Sequence, residues 1–276
     1  MNDKDAGRFR GYDVSQKMKD THQVIRKPIV IRDCDTGDIV LAYAPKYFDA
    51  DIVTKSAETL LKYAPLTGFR GEAAGKADPE NIRANITGKG DIIITASKET
   101  SWADIKRYTG SKINLSNFVM SGNLGYYSRK RLNTIREATG DSEEAMRLIS
   151  ESVRFLKEYT PEIYKTMYSA INDEYRFGGK DSPFTTITVN KDFQTAMHRD
   201  KGNLNGYAVL TATHIGEPFK GGNLHFPQYG IAVPLRKGDA LVANVKLLHG
   251  NEKIEYPDKE GSRVSFVLYA REEFKR

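Results

Sequence analysis

From residue 184 onward, apolar residues come in short runs with polar breaks between them. "FTTITVN" (184–190), "GYAVLTATHI" (206–215), "GNLHFP" (222–227), "GIAVPL" (230–235), "DALVANV" (239–245) and "RVSFVLYA" (263–270) are rich in β-branched and aromatic residues. "NKD", "GEPFKGG", "RKGD" and "PDKEGS" separate them and supply turn residues. So many short runs at close spacing predict a sandwich, jelly roll or barrel.

The first part of the chain has a different pattern. "PIVIRDCDTGDIVLAYA" (28–44) is two apolar runs around "DTGD", which predicts a hairpin. A helical pattern follows at 50–64. Residues 141–175 place apolar side chains at three- and four-residue steps, with Asp141 as N-cap and Pro161 starting a second helix. The intervening "GFRGEAAGKADPENIRANITGKGD" (68–91) is long for a loop, so it is either mobile or functional. The expected fold class is α+β, with a helical or mixed support region (1–180) packed against a β core (181–276).

Composition narrows this little. Hydrophobic residues are 39% and charged residues 28%, ordinary values for a globular chain. No apolar stretch is long enough to span a bilayer, and "MNDKDAGRFRG" lacks the apolar run of a signal peptide. Cys34 is the only cysteine, which excludes an internal disulfide and a cysteine-rich zinc site. A cytoplasmic setting is expected. The net charge of +6 is spread along the chain; it permits a polyanionic partner without identifying one.

Candidate chemistry centres on "QTAMHRDKGN" (194–203). Residues i and i+2 of a strand share a face, so at the end of a strand near 194–199 His198 and Asp200 can aim at one point. An isolated H-x-D is ordinarily a surface pair, and a metal needs a third ligand. Of the five histidines (His22, His198, His214, His225, His249), His249 in "VKLLHGNEK" follows a predicted strand and precedes a glycine. Two histidines and one carboxylate suit a non-haem iron(II) oxygenase, and also a hydrolytic zinc site. Arg263 separates the two. An arginine within an apolar strand costs desolvation unless it meets an anion, and its planar fork suits a carboxylate. A hydrolytic zinc site leaves Arg263 without a purpose.

H-x-D, a long gap, H, then R-x-S is the layout of the iron- and 2-oxoglutarate-dependent dioxygenases. Within them, "FTTITVNKDFQTAMHRD" (184–200), "GGNLHFPQYGIAVPLRKGDALVANVKLLHGN" (221–251) and "SRVSFVLYAREEF" (262–274) resemble the hydroxylase domain of the TET/J-binding-protein family, nearer the J-binding-protein thymidine hydroxylases and their phage and bacterial relatives. "SGNLGYYSRKR" (121–131) resembles the family's segment before the core more loosely. The resemblance implies a double-stranded β-helix, a distorted jelly roll, with His198, Asp200 and His249 holding iron(II). It implies Arg263 and Ser265 on the distal carboxylate of 2-oxoglutarate, with O2 as the third component. The implied reaction hydroxylates the 5-methyl group of a pyrimidine in DNA, with release of succinate and CO2. Thymine would give 5-hydroxymethyluracil, and 5-methylcytosine would give 5-hydroxymethylcytosine. Such a base must be flipped out of the duplex.

Asn190, Tyr207, His214 and Arg129 are the candidate substrate residues; Arg129 stands in a basic cluster with Lys130 and Arg131, beside Tyr126 and Tyr127. The facing of His225 stays open. The compact chain suggests a bare catalytic domain of phage or bacterial type, acting as a monomer. Two alternatives are the same iron chemistry on a free nucleoside, amino acid or protein side chain, and an inactive reader of modified bases.

Overall fold

A computed structural model of the chain describes residues 13–64, 66–67, 70–74, 119–126, 143–257 and 260–276. The elements run α1 (Gln16–Thr21), β1 (Gln23–Val24), β2 (Ile29–Arg32), β3 (Ile39–Ala44), α2 (Ala50–Leu60), β4 (Leu66–Thr67) and β5 (Val119–Gly125). Then come α3 (Glu143–Tyr159), α4 (Pro161–Ala170), β6 (Thr186–Lys191), β7 (Asn203–Gly216), β8 (Lys220–Gly221) and β9 (Leu224–Phe226). The chain finishes with β10 (Ile231–Val233), β11 (Ala240–Asn244), β12 (Gly250–Asn251), β13 (Ile254–Glu255) and β14 (Gly261–Arg271). The expected hairpin at 28–44 is present as the antiparallel pair β2–β3. Pro161 begins α4 as expected, since a proline at the first helical position sacrifices no hydrogen bond. Asp141 and most of the 68–91 stretch lie outside the described residues.

Eight strands form the larger sheet in the order β2-β3-β11-β7-β14-β6-β5-β4, and four form a smaller one, β1-β10-β9-β12. Both halves of the chain contribute to each sheet. The register of the larger sheet aligns Tyr43, Leu241, Leu210, Val267, Thr188 and Asn123 in one row. That row passes from apolar to polar midway. The smaller sheet covers its apolar half, where Leu224, Phe226, Ile231 and Val233 share a core with Leu41, Tyr43, Leu210 and Leu241. Leu210, Val267 and Thr188, in the middle of the row, line a cavity.

Helices cover the opposite face of the larger sheet. Val53, Ala57 and Leu60 of α2 and Leu148, Ile149, Phe155 and Leu156 of α3 are buried against Val209, Val242, Val264, Phe266 and Leu268. Their helical spacing meets strand residues at steps of two, so one alternation feeds the helix core and the other the cavity. Phe266 is fully buried in this layer. Phe266→Ala is expected to cost about 3–5 kcal/mol, read as a lower denaturation midpoint at unchanged m-value.

An N-terminal arm ties the smaller sheet to the rest. β1 pairs in parallel with β10, and Val14 and Met18 pack on Met197 and Leu248. His225 faces into this layer: Nε2 lies 2.7 Å from Glu252 Oε1 and Nδ1 lies 2.9 Å from His22 Nδ1. A carboxylate only accepts, so the proton sits on Nε2, and His22 donates to His225 Nδ1. Burial lowers both histidines; His225 lowers His22 further, and Lys19 lowers His225 against the opposing pull of Glu252. The unfolded chain binds their protons more readily, so this contribution is complete above the ordinary value of 6.5 and is lost as pH falls below it. Denaturation midpoints measured from pH 8 down to pH 5 should therefore fall, and less steeply in His225→Gln.

Candidate active site

The predicted strand near 194–199 is not formed. Instead the two histidines clasp each other through their backbones. His198 N donates to His249 O (2.9 Å), His249 N donates back to His198 O (3.0 Å), and Asp200 N donates to Val245 O (2.9 Å). This is an isolated antiparallel bridge, extended by Asn251 N donating to Thr195 O (3.0 Å). Gly250 permits the approach, because a Cβ there would stand 3.0 Å from the backbone of Ala196 and Met197. Asn251 adds a fastening: its Oδ1 accepts from Thr195 N (2.8 Å) and Thr195 Oγ1 (2.5 Å). Sequence reasoning missed both residues, since an asparagine after His-Gly reads as turn material.

Second contacts fix the imidazoles. Nδ1 of His198 lies 2.8 Å from Ala196 O, and Nδ1 of His249 lies 2.9 Å from Leu247 O. A carbonyl only accepts, so each Nδ1 carries a proton and Nε2 is the atom left for a metal. The rings stand 4.3 Å apart by their centroids, and His198 Nε2 is 3.5 Å from Asp200 Oδ1. One ligand atom from each of His198, Asp200 and His249 lies within 4.8 Å of the others, the single such trio among the described residues. Burial, and after it the neighbouring His198, holds His249 below the ordinary imidazole value and so in the neutral form. Two imidazole nitrogens and one carboxylate fit iron(II); by donor type alone they also fit zinc.

The trio borders a cavity of about 380 Å³. Arg263, Ser265, Val267, Tyr269 and Arg271 line it at alternate positions of β14. Arg263 is 4% exposed; among the described residues its guanidinium makes no hydrogen bond or ion pair, and Nε is buried without a partner. Burial, helped by the charge of Arg236, pulls its pKa down to about 10. The backbone around it is fixed, with Arg263 N donating to Asp192 Oδ1 at 2.7 Å. A buried planar cation whose guanidinium has no ion pair among the described residues, facing a cavity, fits an incoming carboxylate.

Of the residues singled out from sequence, His198, Asp200, His249, Arg263, Ser265 and Asn190 line this one cavity. Tyr207 does not: it stands on the helix-facing side of β7 and donates to Ile39 O at 2.9 Å. His214 pairs with Arg263 across the ladder but is not part of the cavity wall. Arg129 lies outside the described residues. Arg70, Asn203, Thr188, Tyr269 and Arg271 line the cavity without having been singled out. Tyr269 and Arg271 were within reach of simple alternation counted from Arg263.

Residues 136–272 match the Tet_JBP family, described as "Oxygenase domain of the 2OGFeDO superfamily". The chain is 32% identical over 162 residues to the bifunctional helicase and thymine dioxygenase JBP2 of Leishmania braziliensis, covering 55% of this chain and 14% of that protein. It is 36% identical over 126 residues to thymine dioxygenase JBP1 of Crithidia fasciculata, covering 42% of this chain and 15% of that protein. The chain thus spans about one seventh of these relatives' lengths. Among solved structures, NgTET1 in complex with 5mC DNA shares the fold, with a TM-score of 0.54 at 14% identity over 91% of this chain and 79% of that one.

Proposed function

We propose that this chain, whose residues 136–272 match the Tet_JBP family of oxygenase domains, is an iron(II)- and 2-oxoglutarate-dependent dioxygenase of pyrimidine 5-methyl groups in DNA. Thymine is the first base to test, because both curated relatives are named thymine dioxygenases. One observation carries the reading. A buried arginine with no ion pair among the described residues and a two-histidine, one-carboxylate trio share a single cavity. Of residues 1–180, the described strands β1–β5 would support the core of 181–276 by completing its sheets.

His198, Asp200 and His249 would hold the iron, and Arg263 with Ser265 would hold the distal carboxylate of 2-oxoglutarate. When bound, iron(II), 2-oxoglutarate and O2 supply oxidative hydroxylation of a methyl C–H, with release of succinate and CO2. The chain's own residues orient and exclude. Ala196 O and Leu247 O lock the imidazole tautomers. The apolar seam of Leu210 and Leu235 keeps the inner wall dry. Tyr269 offers a ring on which a flipped base can stack, and Arg70, Arg199 and Lys201 offer cations for phosphates. Tyr269→Ala should raise the KM for DNA about tenfold or more while leaving that for 2-oxoglutarate unchanged.

The test is nucleoside mass spectrometry on DNA incubated with protein, iron(II), ascorbate and O2. A 2-oxoglutarate-dependent hydroxymethyl base is the expected product, 5-hydroxymethyluracil first. Succinate without any altered nucleoside, from thymine or 5-methylcytosine DNA, would remove DNA as the substrate and leave the dioxygenase.

A further inference from the structure

Asn190, a candidate base contact by its place in the sequence, sits in a row that argues otherwise. It pairs with Ser265 on one side and Ser121 on the other, all three on the cavity face of the larger sheet. Ser121 Oγ donates to Asn190 Oδ1 at 2.5 Å. The two arms of an amide diverge, so fixing Oδ1 towards β5 turns Nδ2 towards Ser265 and the cavity. Asn190 is 8% exposed, and its amide makes no other hydrogen bond among the described residues. Beside it the Ser265 hydroxyl and the Arg263 guanidinium, which lies 5.4 Å from the Phe219 ring, likewise make no hydrogen bond among the described residues, and all three line the cavity.

We propose that Asn190 is a positioning residue for the co-substrate: its Nδ2 donates to the distal carboxylate of 2-oxoglutarate, completing a site with Arg263 and Ser265, while Ser121 fixes its orientation. This rests on the co-substrate assignment above and extends it. A carboxylate has about four lone-pair positions; the guanidinium fork fills two, the Ser265 hydroxyl one and the Asn190 amide the last. Asn190 then reads the co-substrate, and the base is left to the other end of the cavity, near Tyr269 and Asn203.

The experiment is anaerobic calorimetric titration of 2-oxoglutarate into iron(II)-loaded protein, with pyruvate, a 2-oxo acid lacking the distal carboxylate, as the parallel ligand. Asn190→Ala should weaken 2-oxoglutarate about tenfold and leave pyruvate unchanged. Asn190→Asp should weaken 2-oxoglutarate further, by placing like charges together. Ser121→Ala, which frees the amide without removing it, should give a smaller loss in the same direction and serves if Asn190 variants misfold. Equal weakening of both ligands would overturn the proposal, as would unchanged 2-oxoglutarate affinity, with or without a raised KM for DNA. Arg263→Gln is the control: if it too leaves 2-oxoglutarate binding intact, the co-substrate assignment itself fails, whatever Asn190 does.

Discussion

His249→Ala is expected to lower turnover by at least about a thousandfold and to remove stoichiometric iron, while the protein still folds. Loss of a residue that merely orients a metal ligand costs about 10–100-fold, and His249 is itself a proposed ligand, so its loss should exceed that range. The fold should survive because the clasp between the two ligand segments is made by backbone atoms. His198 N to His249 O and His249 N to His198 O remain available to alanine. What disappears is the Nδ1–H bond to Leu247 O and the ring packed on His198, a loss of about 1–3 kcal/mol. Metal content, circular dichroism and product mass spectrometry read these separately. A variant that keeps full iron and full turnover would show that His249 is not a ligand.

Arg263→Leu is expected to move activity and stability in opposite directions. The KM for 2-oxoglutarate should rise about thirty- to a hundredfold, the loss of about 2–3 kcal/mol from a bidentate, charge-assisted contact. Arg263→Lys should restore little of it, since an ammonium presents a point charge where a fork is needed. The ligand-free protein, however, should unfold at a higher denaturant concentration in the leucine variant. Arg263 is 4% exposed and its guanidinium has no ion pair among the described residues; burial outweighs the pull of nearby Asp192, so the resting protein carries the desolvation penalty of a cation. Saturating 2-oxoglutarate should reverse the ranking by stabilising only the native chain. If Arg263→Leu were less stable than the parent under all conditions, the arginine would be a packing element rather than an anion receptor.

Much of this site was legible in the sequence because its chemistry depends on residue type. His198-x-Asp200, His249 and Arg263-x-Ser265 are polar positions in or beside apolar runs, and the structure brings all five to one cavity. Tyr207 shows where that legibility stops. β7 is buried on both faces, so its sequence does not alternate and gives no sign of which side meets the helices. The strand expected at 194–199 was also absent. The histidines are aligned by a single bridge, by Gly250 and by Thr195–Asn251, contacts between segments about fifty residues apart that local pattern cannot encode. Asn190 was found by its place beside the ligands, and its partners Ser121 and Ser265 appear only once the register of three strands is known.

The gradation of the cavity wall has a consequence for traffic. Arg263, Ser265 and Asn190 are at most 9% exposed, while Asp200 is half-buried and Lys201 stands in the open. The smaller sheet plugs the apolar half of the interior, so among the described residues the way in is on the side of Lys201. Entry from that side, under the proposed function, imposes an order of arrival. The small dicarboxylic acid would settle at the bottom before a nucleotide fills the neck, and its spent four-carbon remainder would wait for the nucleotide to withdraw. Steady-state patterns should therefore be sequential, with succinate competing against 2-oxoglutarate and not against DNA.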